Sequence, residues 1–371
     1  KSNEKIHRIM KIKNIFFAAI LVLAGFSCSM EDDAIMNDVE KGIEEATEAY
    51  TVLDFGVAFN EMATKASTTV VPGEDRPATG DENNDEKKIS EVSVFLLEDG
   101  KVIGILIPQN RNQVSSNSDG SITLKDLKFV TKYKTNRTLD AHVVINGNQF
   151  LKNINIGDAQ SALNQQISGC LSADQLIKYG STRIVFGKDI TNSYSSPSVA
   201  ENNPTTILVK VSHVAARLDF SQFDVTLKGF EGNPTVVFDE AKFVNLQQNG
   251  KIVEGDASVN VKDGAFLNRS NRIGTRWTDM GTAYGYANQY KQDSEMNTAL
   301  YVKFTVDGRT FEKTYPINPA GITKEVDHNG IKGGYLYDIK VRWTITPDWG
   351  DSTIEFYTRD WVHNSIPEIV L

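Results

Sequence analysis

Two cysteines, four tryptophans and five histidines carry most of the chemical potential of this chain, and their placement already limits it. Cys28 and Cys170 are too few for a disulfide framework or a cysteine zinc site. His7, His142, His213, His328 and His363 are scattered, with no pair at the helical spacing that grips a metal. Cys170 lies in Ile167-Ser168-Gly169-Cys170-Leu171 without a His or Asp pattern, and reads as a buried structural thiol rather than a nucleophile. The acids of Asp81–Glu86 lack the D-x-D-x-D-G spacing of a calcium loop and read as a solvated linker. No G-x-S-x-G elbow, H-E-x-x-H or P-loop occurs, and no G-x-G-x-x-G follows a strand. No catalytic residue, metal site or cofactor is therefore expected, and the chain does not read as an enzyme. Trp343 lies in an alternating strand and reads as core. Trp277 and Trp349 lie in loop-like sequence, where aromatic faces could stack on sugars.

Cys28 has a different setting. Lys11 and Lys13 precede an apolar run from Ile15 to Gly25, and Phe26-Ser27 lead into the cysteine. A positive n-region, a short h-region and a small residue before the cleavage point describe a signal peptide, expected to start at Met10 and end at residue 27. The run is about half the length a bilayer-spanning helix needs. Gly25-Phe26-Ser27-Cys28 resembles a bacterial lipobox, which makes Cys28 the lipidated first residue of the mature chain. Each buried lipid CH₂ contributes about 0.8 kcal/mol, so several acyl chains anchor stably. Ser29-Met30-Glu31-Asp32-Asp33 then resembles the acidic surface-export signal of Bacteroidetes lipoproteins.

The elements behind this address are β-strands. The 371 residues are 40% hydrophobic, enough for a sizeable core, and the formal net charge is −9. Removing residues 1–27 takes away five basic residues and one acidic residue and leaves −13, which excludes nucleic acid as a partner. Residues 28–49 read as an acidic tether. Leu53, Phe55, Val57 and Phe59 then form the apolar face of a first strand at 51–60. A polar, acidic, Pro- and Gly-containing linker spans 64–88. Strands follow at short intervals: Val92–Leu97 and Val102–Ile107 around an Asp-Gly turn, then Asp140–Ile145, Thr206–Val211, Ala215–Leu227, Ala299–Val306, Tyr335–Thr346 and Thr353–Tyr357. A helical patch is expected at Asp158–Gln166 or Ala173–Tyr179. Asn268–Glu295 reads as a long surface loop. Many short strands and turn signals point to β-sandwiches. A first domain is expected at 50–226 and a second at 227–371.

Several segments in this order are similar to the fimbrillins, the type V pilins of Bacteroidetes. They are Lys88-Ile89-Ser90-Glu91-Val92-Ser93-Val94-Phe95-Leu96, His142-Val143-Val144-Ile145-Asn146-Gly147, Val211-Ser212-His213-Val214-Ala215-Ala216-Arg217-Leu218 and Gly334-Tyr335-Leu336-Tyr337-Asp338-Ile339-Lys340-Val341. The resemblance implies an all-β chain of two tandem transthyretin-like β-sandwiches with Greek-key topology. It implies a lipoprotein of the outer membrane from which a trypsin-like protease removes the first strand, at Lys65 or Arg76 in this chain. A C-terminal strand of another copy or a related subunit then fills the groove, and a fimbrium supporting adhesion grows on the cell surface. Ile354, Phe356, Trp361, Ile366, Ile369 and Leu371 are the apolar candidates for that donor. A fimbrial anchor or accessory subunit that keeps its lipid, and a surface glycan-binding lipoprotein, are the alternatives. A host glycan or protein receptor is the further partner implied.

Lipidation at Cys28 is open to a direct check. Cys28→Ala should abolish incorporation of labelled fatty acid into the full-length precursor. Unchanged labelling of that variant would refute the assignment.

Overall fold

Alternation of apolar and polar side chains is the signal that builds this molecule. The computed structural model describes residues 48–59, 84–107, 114–116, 122–253, 255, 257–267, 272–321, 328–348 and 350–360. Its first half contains β1 (Tyr50–Phe59), β2 (Val92–Glu98), β3 (Lys101–Leu106), β4 (Val114–Ser116), β5 (Ile122–Lys132), β6 (Thr138–Ile145), β7 (Gln166–Ser168), β8 (Lys178–Val185) and β9 (Thr205–His213). Among the described residues, one sheet runs in the order β3-β2-β6-β8-β9-β1-β5-β4. β2 and β3 make the expected hairpin, with Asp99 (φ 49°) and Gly100 (φ 72°) both left-handed, as a type I′ turn requires. The β8–β9 join is short, pairing only Lys178 with His213 and Tyr179 with Ser212. There the sheet folds over so that both halves line one core: Val94, Leu96 and Val143 from one side, Leu53, Phe55, Val57 and Val209 from the other. Gly180 permits the close crossing, since a Cβ at that position would lie 1.9 Å from the Lys210 carbonyl oxygen.

The second half contains β10 (Ala216–Leu227), β11 (Val236–Val244), β12 (Leu246–Gln247), β13 (Asn249–Lys251), β14 (Val261–Lys262), β15 (Phe266–Leu267), β16 (Arg272–Ile273), β17 (Arg276–Gly285), β18 (Ala299–Val306), β19 (Arg309–Pro316), β20 (Tyr335–Ile345) and β21 (Gly350–Asp360). One sheet runs β17-β10-β20-β21 and a second runs β15-β11-β18-β19, with β16 also on β11. Phe220, Phe223, Phe238, Phe304, Ile339 and Trp343 fill the space between them. β7 pairs with β13, which ties an excursion of the first half to the second. The all-β reading and its sandwich-like layers hold.

Three local expectations change. The passage from one sheet system to the next falls at 214–215, upstream of the boundary at 226/227. β10 is a good strand in either setting, but its partners β17 and β20 come later in the chain, and alternation does not report partners. The supposed loop 268–295 contains β17, and Trp277 is a core residue of that strand, 5% exposed and 5.3 Å from the ring of Phe223. The helical patch dissolves into 3₁₀ turns at Gln160–Leu163 and Ala173–Gln175, because β7 and β8 interrupt it. True helical turns lie instead at Asn148–Leu151 and Pro197–Glu201.

The two halves share a plan that no sequence repeat announces. β1 runs antiparallel to β5 and parallel to β9, with a register shift between Asp54 and Gly56. β10 runs antiparallel to β17 and parallel to β20, with a shift between Phe220 and Gln222. Each opening strand is therefore held by a partner from its own half's end. Gly180→Val should lower thermal stability, because its side chain meets backbone that cannot yield. A loss of about 1–3 kcal/mol is expected from overpacking, read as a lowered midpoint in urea unfolding. An unchanged midpoint would contradict the close crossing.

Candidate strand-exchange groove

Leu53, Phe55, Val57 and Phe59 all lie on β1. Leu53, Phe55 and Val57 are fully buried and point into the first core. Fully burying each such side chain contributes roughly 1.5–3 kcal/mol. Phe59 is the last residue of β1. β1 is an interior strand: its backbone pairs with β5 from Tyr50 to Val57 and with β9 from Leu53 to Phe59. Neither neighbour is joined to it by a tight turn, so the strand is held by its ladders and its side chains.

Two further features fasten it. Tyr50 and Tyr194 exchange both backbone hydrogen bonds, each 2.8 Å. The helix Pro197–Glu201 then packs on β1 and β5, burying Ala200, and the Lys128 ammonium donates to the Glu201 carbonyl oxygen at 3.2 Å. Ser196 caps this helix by accepting from the Val199 N–H. At the strand's entry Glu48 pairs with Lys132 and accepts from the Tyr50 hydroxyl at 2.6 Å. Hydrogen bonding from Lys132 holds the Glu48 carboxyl below its ordinary range.

The far side of the linker is not solvated up to Lys88 as expected. Order resumes in a 3₁₀ turn at Asn84–Lys87, and Glu86 is fully buried. Arg217 Nη1 on β10 donates to its Oε2 at 3.1 Å, and the Tyr284 hydroxyl on β17 donates to Oε1 at 2.5 Å. His213 Nε2 on β9 donates to its backbone carbonyl at 3.2 Å. Arg217 also grips Asp219 at 2.9 Å. Burial pushes the Glu86 carboxyl up, against the pull of Arg217 and Tyr284. Glu86 thus joins the linker's end to both halves, through its carboxylate to β10 and β17 and through its backbone carbonyl to β9. Sequence reasoning missed it because Glu86 looks like every other acid in 81–86. The buried Arg217, on the apolar-flanked strand Ala215–Leu227, was the one available hint of a buried partner.

The remaining candidates are placed as follows. Cys28, Lys65 and Arg76, and the C-terminal Trp361, Ile366, Ile369 and Leu371, lie outside the described residues, as does Trp349. Ile354 and Phe356 lie on β21, which pairs along β20 (Val341↔Ile354, Ile339↔Phe356) as an edge strand of its own sheet. Ile354 is partly buried against the second core. Cys170 is half-buried at a left-handed turn (φ 56°) with Gln149 Nε2 at 3.3 Å, and burial raises its thiol. Among the described residues no group of three or more His, Cys, Asp or Glu could hold a metal ion.

No protein-family model and no curated protein sequence matches the chain. The fold, however, is that of solved proteins from Bacteroidetes. A proposed cell adhesion protein of Parabacteroides distasonis superposes with TM-score 0.56 at 17% identity, covering 85% of this chain and 98% of that one. A second proposed cell adhesion protein of the same organism gives 0.50 at 12% identity, covering 85% and 100%. The tip fimbrial protein Mfa3 of Porphyromonas gingivalis gives 0.47 at 12% identity, covering 84% and 100%.

The Glu86 contact makes a stability prediction. Glu86→Ala leaves the Arg217 guanidinium buried with Asp219 as its remaining anion. Breaking a buried pair costs about 3–5 kcal/mol, and Asp219 should hold the loss to the lower end. Glu231→Ala, at an exposed carboxylate, should change the urea midpoint little. Equal effects of the two substitutions would contradict the joining role of Glu86.

Proposed function

We propose that the chain is a structural subunit of a surface fimbrium. It is exported as a lipoprotein and assembles when a strand from another subunit replaces β1. One observation carries the reading: β1 is an interior strand with a fully buried apolar face, yet it is joined onward only through the polar stretch before Asn84. Cutting that stretch at Lys65 or Arg76 turns β1 into a non-covalent plug. Its loss exposes the unpaired edges of β5 and β9 over an apolar slot, and exposed edges template association. A donor strand supplies ladder hydrogen bonds to both edges and places alternate side chains in the vacated pockets. Donor and groove lie on different parts of the chain, so each subunit offers both and the contact propagates rather than closes. The fold shared with proposed adhesion proteins supports this reading, with a host glycan or protein receptor as the eventual target.

The donor is assigned to the residues after β21, with Ile366, Ile369 and Leu371 filling the pockets of Leu53, Phe55 and Val57. Ile354 and Phe356 serve the subunit's own sheet unless β21 peels away. Pro367 breaks the donor ladder at one position, since it has no N–H. A fimbrial anchor that keeps β1 and its lipid is the second reading. It is favoured by Arg76-Pro77, a bond that proline shields from trypsin-like proteases, which leaves Lys65 as the better of the two cuts. The glycan-binding reading loses Trp277, which is core.

Assembly should depend on the last six residues while folding does not. Deleting Ile366–Leu371 should leave the unfolding midpoint of the monomer unchanged and abolish detergent-resistant ladders after processing. Ladders of normal length from the truncated chain would overturn the donor assignment. If the full-length surface protein also retains acylated Cys28 and forms no ladders, the anchor reading replaces the pilin reading.

A further inference from the structure

Lys178 is fully buried at the start of β8, a setting lysine almost never occupies. Its Nζ donates to the carbonyl oxygens of Lys88 at 3.2 Å and Leu176 at 3.1 Å. The Asn146 side-chain Nδ2, just past the end of β6, donates to the same two oxygens, at 2.9 and 3.2 Å. Two nitrogens that share both acceptors lie close together, since Asn146 directly follows Ile145, the strand partner of Lys178. The Asn146 Oδ1 accepts from the backbone N–H groups of Ser90 at 2.8 Å and Glu91 at 3.4 Å. We infer that Lys178 and Asn146 are joined by an intramolecular amide, formed when the lysine amine condenses with the asparagine carboxamide.

The chemistry balances without an added reagent. The Nζ lone pair attacks Cγ of Asn146, and the carbonyl electrons move to Oδ1. Ser90 and Glu91 N–H groups already point at that oxygen and would stabilise the developing negative charge. A proton passes from Nζ to Nδ2, with Glu86 as the nearby buried carboxyl able to relay it. The Cγ–Nδ2 bond breaks, ammonia leaves, and the Nζ–Cγ amide remains. One C–N bond forms and one is lost, with no change of oxidation state. The amine is prepared for this role: burial lowers its pKa to about 7, against the opposing pull of Glu86, so the neutral nucleophile is present near neutral pH. Fixed placement of both reactants removes the cost of bringing them together. The product keeps one N–H for the Lys88 and Leu176 carbonyls and removes a buried ammonium charge. It also closes the excursion 147–177, including β7, so that tension along the chain would pass from β6 to β8 without unravelling it.

Peptide mapping of the denatured full-length chain tests the inference without any variant. The expected result is a branched peptide that joins the Asn146 and Lys178 segments and is lighter than their sum by one ammonia. Lys178→Met should yield the two segments as separate peptides. Separate, full-mass peptides from the wild-type chain would overturn the proposal. So would an ammonia-light Asn146-Gly147 peptide unlinked to Lys178, because that marks a succinimide formed by the backbone. A linked peptide that persists in Lys178→Met would assign the bond to another amine and overturn it equally.

Discussion

Leu53, Phe55 and Val57 of β1 plug the first core. Everything characteristic of the fold's first half follows from that plug. β5 and β9 stand apart by the width of one strand, and only β1 or a strand like it can satisfy both edges. β10 occupies the equivalent place in the second half, between β17 and β20, but the chain runs on from it directly into ordered sheet. The same architecture is thus followed directly by ordered sheet in one half and by the polar stretch before Asn84 in the other. What differs is the connection, not the packing.

If β1 is exchanged as proposed, the frame around it must not collapse when it leaves. The contacts of Glu86 with Arg217, Tyr284 and His213 supply part of that frame, since they lie after the linker and survive a cut within it. The pairing of β7 with β13 adds a second tie between the halves. The helix Pro197–Glu201 and the Tyr50–Tyr194 bridge work in the opposite sense, on the plug itself. Under the proposed exchange they would have to give way before β1 could move outward.

Strands such as β3 and β9 were legible in the sequence because burial on one face imposes a two-residue period, whereas β2 and β6, buried on both faces, were legible as short apolar runs bounded by turn signals. The Asp99-Gly100 turn was legible because few residue pairs accept two left-handed conformations. Partners were not legible. β10 alternates on either side of its shift at Phe220/Gln222 whichever sheet it joins, so its membership of the second half needed the three-dimensional pairing. Trp277 was misplaced because Thr275-Arg276 and Thr278-Asp279 flank it with polar residues that face away from the core. The Glu86 site left almost no trace, since a buried carboxylate and a solvated one are the same letter. Lys178 was silent for the same reason.

The central claim is that β1 is exchangeable once the linker is cut. The direct measurement is release of the β1 fragment from purified, linker-cleaved protein on adding a synthetic peptide of residues 361–371, followed by size-exclusion chromatography and mass spectrometry. The account predicts that the fragment stays bound without the peptide, leaves in its presence, and is replaced by it in equal amount. A fragment that remains with the folded chain at saturating peptide would contradict the account.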